Sequence, residues 1–167
     1  SSRAIWGSGG VGFLVADRIL KLFDVVILDN SYEDILWLKL VLKGDTDIGV
    51  VLYVCYIPPE GSSRGNKAQE FYDTLISHIY MYHDGCPMVI SGDFNAHISD
   101  RQDCDTICDG IRKRIPVDDK PLNKMGGHFL DFLSDTNTCV LNGRFDINRD
   151  NFTRVSSTGC AVDDYIV

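Results

Sequence analysis

Short apolar runs broken by Gly, Asn, Asp and Pro give this chain the rhythm of a strand-rich domain. Val25 to Leu28 predicts a strand closed by Asp29-Asn30-Ser31. Ile35 to Leu42 predicts a second, with Trp37 and Lys39 on one side and Leu36, Leu38 and Leu40 on the other. Gly44-Asp45-Thr46-Asp47 reads as a hairpin-like turn, after which Val50 to Ile57 is apolar on both faces, as a central strand is. The apolar tail of Gly9-Gly10-Val11-Gly12-Phe13-Leu14-Val15 reads as one more strand. Its glycines suit a tight turn or close strand packing better than a phosphate cradle. Strands in direct succession predict an antiparallel or mixed sheet rather than a Rossmann alternation.

The period then changes. Asn66 looks like a helix N-cap with Gln69 completing a capping box, and Ala68, Phe71, Tyr72, Leu75, Ile79 and Tyr82 recur at helical spacing as far as His83-Asp84-Gly85. His78 falls between stripe residues and reads as a packed or surface histidine. Pro87 to Ile90 restarts a strand, and Ser99 to Lys124 is a long charged loop carrying Arg112-Lys113-Arg114. Asn123 precedes a helix over about Gly126 to Asp135, with Phe129, Leu130 and Leu133 facing the core. Cys139 to Leu141, Phe152-Thr153 and Val162 to Val167 predict further strand pieces. No repeat, low-complexity linker or domain boundary interrupts the pattern, so residues 1–167 read as a single domain.

Composition narrows the class. With 44% hydrophobic and 24% charged residues, the chain has the balance of a soluble globular protein. The longest apolar run, Ile48 to Ile57, is about half of what a membrane span needs, and no signal-peptide pattern opens the chain. Of the six cysteines none forms a C-x-x-C pair, and Cys104 and Cys108 with His97 and His128 fit no standard zinc finger. Reduced cysteines in an intracellular protein are the expectation. A net charge of −8 argues against a generic polyanion binder, yet it is compatible with an enzyme that meets nucleic acid through a divalent metal.

Candidate chemistry sits where the strand at Met88 ends. Asp93 and Asn95 follow Gly92 and, two apart, project to the same side, so a carboxylate and an amide leave a core strand together. The same residues are ordinary turn formers, and both readings stand on the motif alone. Tyr56, at the end of the central strand before Pro58-Pro59, is either a core tyrosine with a wet hydroxyl or a hydrogen-bond donor to a phosphate.

Taken in order, Tyr56-Ile57-Pro58, Ser91-Gly92-Asp93-Phe94-Asn95-Ala96, the N-x-x-G-x-x-L-x-x-F-L-like segment from Asn123 to Leu133, Asn142-Gly143-Arg144-Phe145 with Phe152-Thr153, and Asp164-Tyr165 resemble the endonuclease/exonuclease/phosphatase superfamily. The Gly-Asp-Phe-Asn-Ala form is most similar to the endonuclease domains of non-LTR retrotransposons, and the resemblance runs over about residues 9–167. It implies an α/β (α+β) fold, a four-layer α/β/β/α sandwich of two mixed sheets, here truncated at both ends. It implies Mg²⁺- or Mn²⁺-dependent phosphodiester hydrolysis, with DNA as substrate and a reverse transcriptase domain in the full polyprotein. It also implies action in the nucleus and no membrane partner. By motif position, Asp93 would orient or deprotonate the attacking water, and Asn95 would contact the phosphate or help to place the metal. Tyr56 would donate its hydroxyl to the phosphate, Asp164 would orient a histidine, and Asn123 is a further candidate phosphate contact.

Departures from the family pattern carry their own expectations. The N-terminal segment with the principal metal-binding Glu and the C-terminal Ser-Asp-His segment have no counterpart here. Glu33, Glu60 and Glu70 lie in no matching segment, and His78, His83, His97 and His128 all precede the expected histidine. These 167 residues alone are therefore expected to be inactive or nearly so. Asp163 stands where the family has a branched apolar residue, and an unpaired carboxylate there would be costly. The competing readings are a phosphatase or sphingomyelinase of the same fold, and a catalytically dead binding domain.

Overall fold

Strands Phe23–Asp29 (β1), Ile35–Leu42 (β2) and Gly49–Tyr56 (β3) form an antiparallel meander in a computed structural model. The structure describes residues 10–32, 34–62, 67–101, 103, 111–116, 120–145, 152–157 and 159–167. Strand Met88–Asp93 (β4) joins β3 in parallel, and Asp164–Ile166 (β7) closes the row in antiparallel, so the five-stranded sheet is mixed, in the order β1-β2-β3-β4-β7. Arg154–Ser156 (β5) and Gly159–Ala161 (β6) make a separate two-stranded ladder. Helices Asp17–Leu20 (α1), Ala68–Tyr82 (α2) and Lys124–Thr136 (α3) complete the elements. α2 is the crossover that a parallel β3–β4 pairing requires. The expected mixed sheet with the Val50 strand at its centre is what forms, giving an α+β architecture.

Register sorts the side chains onto two faces. Ile35, Trp37, Val51, Tyr53, Cys55, Ile90 and Tyr165 share one face and are buried beneath α2 and α3. Phe94 and Phe129 meet there at a ring separation of 4.6 Å, and Trp37 and Tyr53 at 4.4 Å. His78 of α2 is packed, as expected: its Nδ1 accepts from the Trp37 indole at 3.1 Å. The opposite face carries Leu36, Val50, Leu52, Val54 and Val89, all half-buried, together with the buried Leu38 and Leu40, while Ile27 is 62% exposed. Among the described residues, then, helices cover one side of the sheet and leave the other, also apolar, more open.

Three expectations are corrected. Residues 10–16 form no strand: Leu14 is wholly exposed and the chain turns instead into the short α1. That stretch was expected to pair because it is apolar, but a strand needs a ladder partner and this one has none among the described residues; the expected Gly9 lies outside them. Cys139 to Leu141 is not a strand either. Only Leu141 N–H bonds to Ile166 O (2.7 Å), because side chains take the neighbouring positions: Val140 N–H bonds to Asp103 Oδ2 (2.5 Å), and Ile166 N–H to Asn142 Oδ1 (2.9 Å). Phe152 and Thr153 precede β5 instead of lying in a strand, and the Gln69 amide nitrogen donates to Asp73 Oδ1 at 2.9 Å, while the expected N-cap, Asn66, lies outside the described residues. Phe132, which the sequence reading passed over, is fully buried on α3.

Cys55, Cys86, Cys139 and Cys160 form no disulfide among the described residues, and Cys104 and Cys108 lie outside them. No described helix is long and apolar enough to cross a membrane.

Candidate active site

Asp93 is the last residue of β4, and the chain reaches it through a position only glycine tolerates. Gly92 has φ +155°, and a Cβ there would lie 2.1 Å from Cys55 O, so a side chain would force β3 and β4 apart. With β3 and β4 in close register, Tyr56 lies beside Asp93, and on the other side Asp93 lies opposite Asp164. Cross-strand neighbours point to the same face. Tyr56, Asp93 and Asp164 therefore form one row across three strands, half-buried, on the more open face. Three of the expected site residues, far apart in sequence, come together.

Asn95 joins them in a way that reconciles the turn and site readings. Its backbone is left-handed (φ +46°), and its N–H bonds to Asp93 Oδ1 at 2.9 Å, an Asx-type turn. Its amide nitrogen donates to Ile57 O at 2.8 Å, tying the turn after β4 to the end of β3. Asn123 holds the same turn from behind. Its Oδ1 accepts from Gly126 N–H (2.7 Å), capping α3, and from His97 N–H (2.9 Å), while its Nδ2 donates to Asn95 O (3.0 Å). Gly126 has to be small because a Cβ would sit 2.1 Å from His97 O. The expected phosphate contact is thus engaged with the protein's own backbone on both its oxygen and its nitrogen.

Electrostatics single out Asp93. Partial burial pushes its carboxyl above the usual range, the Asn95 N–H bond opposes this, and the nearby carboxylates Asp164 and Asp163 push it further up. Asp163 is buried, but it is not unpaired as the sequence reading allowed. Its Oδ2 meets Arg154 Nε at 2.5 Å, and its Oδ1 lies 3.6 Å from His97 Nε2. The histidine of this neighbourhood thus faces Asp163, where the resemblance implied a histidine on Asp164. Thr153 Oγ1 accepts from both Asp163 N–H (3.0 Å) and Asp164 N–H (3.1 Å), fixing the entry to β7.

Asp93 and Asp164 offer hard oxygen ligands, with the Asn95 side-chain oxygen nearby. Such a set suits Mg²⁺ held by one or two carboxylates together with water and substrate oxygen. No group of three or more His, Cys, Asp or Glu among the described residues is arranged to hold a metal ion. The donors present fit such an ion in kind. A cleft of about 360 Å³ lined by Ile35, Ile57, Pro58 and Phe71 among others lies near the start of α2, and none of the row residues lines it.

Sequence reasoning missed Arg154, Thr153 and the buried Asp103–Arg144 pair. Arg144 Nη2 bonds to both Asp103 carboxylate oxygens at 2.6 Å, and Arg144 also donates to Val140 O and Arg112 O. The Asn-Gly-Arg-Phe segment was the available signal, since a buried guanidinium needs a charged or carbonyl partner. No family model matches the chain, and comparison with curated proteins finds no relative.

Proposed function

We propose that this chain is part of a metal-dependent phosphodiesterase, the DNA-nicking endonuclease domain of a retroelement polyprotein. The observation that carries the reading is the Tyr56–Asp93–Asp164 row at one end of the sheet, with Asn95 beside it. A hydroxyl donor, two carboxylates and an amide are the groups that in-line hydrolysis of a phosphodiester requires. Asp93, with its carboxyl raised toward neutrality, holds the proton of the attacking water. Tyr56 donates to a phosphate oxygen as charge develops there. Asn95 directs its remaining amide capacity to the phosphate or the metal, and Asn123 fixes the turn on which Asn95 sits. Asp164 orients a histidine. Mg²⁺ or Mn²⁺, when bound, would neutralise charge on the phosphate and leaving oxygen. The half-buried apolar face of Leu36, Leu52 and Val54 supports a second sheet packed there, completing the four-layer sandwich. In this reading the metal glutamate and the histidine come from sequence beyond these 167 residues, a reverse transcriptase domain shares the polyprotein, and the work is done in the nucleus.

Supercoiled plasmid with Mg²⁺ tests this, using a longer chain that carries the flanking sequence of the reading frame. Nicking is expected, with a loss of about 10²-fold or more in Asp93→Asn; the 167 residues alone should nick little or not at all. Undiminished nicking by Asp93→Asn would sink the assignment. Release of phosphate from a monoester in place of nicking would favour a phosphatase. A second reading, a catalytically silent binding domain, draws on the carboxylate pair that lacks a third metal ligand among the described residues; it predicts DNA binding without nicking by the longer chain.

A further inference from the structure

The surroundings of Asp93 pose a charge problem. Asp93, Asp163 and Asp164 crowd one end of the sheet in a chain of net charge −8, and a phosphodiester bears a negative charge of its own. Among the described residues, the cation that acts on the Asp93 carboxyl is Arg154. Arg154 opens β5, opposite the fully buried Ala161 of β6, so it stands at the anchored base of an otherwise exposed hairpin in which Val155 is 76% exposed. The preceding Thr153 binds that base to β7 through two backbone N–H groups. Its guanidinium is held at one corner only: Nε meets the buried Asp163 at 2.5 Å, while the side chain remains 52% exposed. Arginine carries five N–H donors in a rigid fork, so the Nη groups keep donor capacity beyond the Nε contact.

We propose that Arg154 is a phosphate-binding residue of this site, with Asp163 as the positioning residue that aims its guanidinium at a phosphodiester lying over the Tyr56–Asp93–Asp164 row. This deepens the DNA reading and rests on it for the identity of the substrate. Arginine suits the role because its planar fork matches phosphate oxygens bidentately, and one edge docked on a carboxylate fixes the direction of the other. The alternative role, neutralising Asp163 and nothing more, would leave the half of the side chain that faces solvent without a function.

Binding of the 167-residue chain to a fluorescent DNA duplex, in EDTA and across a salt series, separates the two. Arg154→Gln is expected to weaken binding about tenfold and to lower the slope of log K against log salt by about one. Arg154→Lys should keep the slope while losing part of the affinity, because charge survives and the fork does not. A mere partner of Asp163 would lower the melting temperature and leave the slope unchanged, and that result overturns the inference. Should the wild-type chain not bind the duplex, NMR of the Arg154 Nε–H resonance during titration with thymidylyl-thymidine, a single phosphodiester, decides the matter. A saturable shift sustains the phosphate site while the DNA reading fails; no shift refutes the site.

Discussion

Replacing Asn123 by Ala removes three hydrogen bonds that tie α3 to the turn after β4. The cap on Gly126 N–H is worth about 1 kcal/mol. His97 N–H and Asn95 O, both part-buried, lose their partners at about 1 kcal/mol each. Taken together, the three contributions give an expected loss of about 3 kcal/mol. Set against a domain stability of about 5–15 kcal/mol, that is a large fraction. Urea denaturation followed by the fluorescence of the buried Trp37 measures it: with an m-value of about 1–3 kcal/mol/M, the midpoint should fall by about 1 M or more at unchanged slope. Asn123→Asp retains the two accepting bonds and loses the donor to Asn95 O, so it should recover more than half of the stability. The reasoning fails if Asn123→Ala costs under about 0.5 kcal/mol, within the range of ordinary surface substitutions, while weakening phosphodiester binding. Asn123 would then be the phosphate contact its motif position implied, not the scaffold its hydrogen bonds describe.

Arg144→Met should cost about 3–5 kcal/mol by thermal or urea unfolding, because it leaves the buried Asp103 carboxylate without its guanidinium. Asp103→Asn in the same background should return part of that loss, and a single-variant cost below about 1 kcal/mol would contradict the buried-pair account. Asp93→Asn should make the chain more stable at neutral pH while removing the proposed general base. The folded-state carboxyl is raised above its unfolded value, so the folded state holds the proton more tightly, and ionisation as pH climbs through that raised value costs stability. The gain from the amide should disappear in acid, below the ordinary carboxylate range, where both states are protonated; a pH series of unfolding midpoints that runs parallel for the two proteins would refute it.

Most of the sheet was legible because its strands are locally self-consistent: β2 and β3 are apolar runs bounded by turn residues and formed within a residue of their expected limits, while β4 ran on through Gly92 to Asp93, three residues past the expected end at Ile90. The apolar stripe of α2 was equally readable. What failed was whatever depended on a partner elsewhere. Phe13 to Val15 is as apolar as β1, but hydrophobicity says nothing about whether a neighbouring strand exists to receive it. Val140 and Ile166 satisfy their N–H groups through Asp103 and Asn142, a choice no local pattern encodes. For the site, Asp93, Asn95, Tyr56 and Asp164 were named from motif order, and the register sets Tyr56, Asp93 and Asp164 side by side. Asp163 was flagged as a misfit because its partners, Arg154 and His97, lie 9 and 66 positions away.

The row that defines the site has one member on a strand of only three residues at the edge of the sheet. Tyr56 and Asp93 ride on β3 and β4 in the interior of the ladder, but Asp164 reaches them only while β7 stays zipped to Ser91, Gly92 and Asp93. Peeling β7 away breaks far fewer contacts than global unfolding, so its opening free energy lies below that of the domain. The assembled site is therefore a local equilibrium in its own right. The fraction of molecules with Asp164 held beside Asp93 and Tyr56 is set by how often this edge strand lets go, and it can fall while the rest of the domain stays folded.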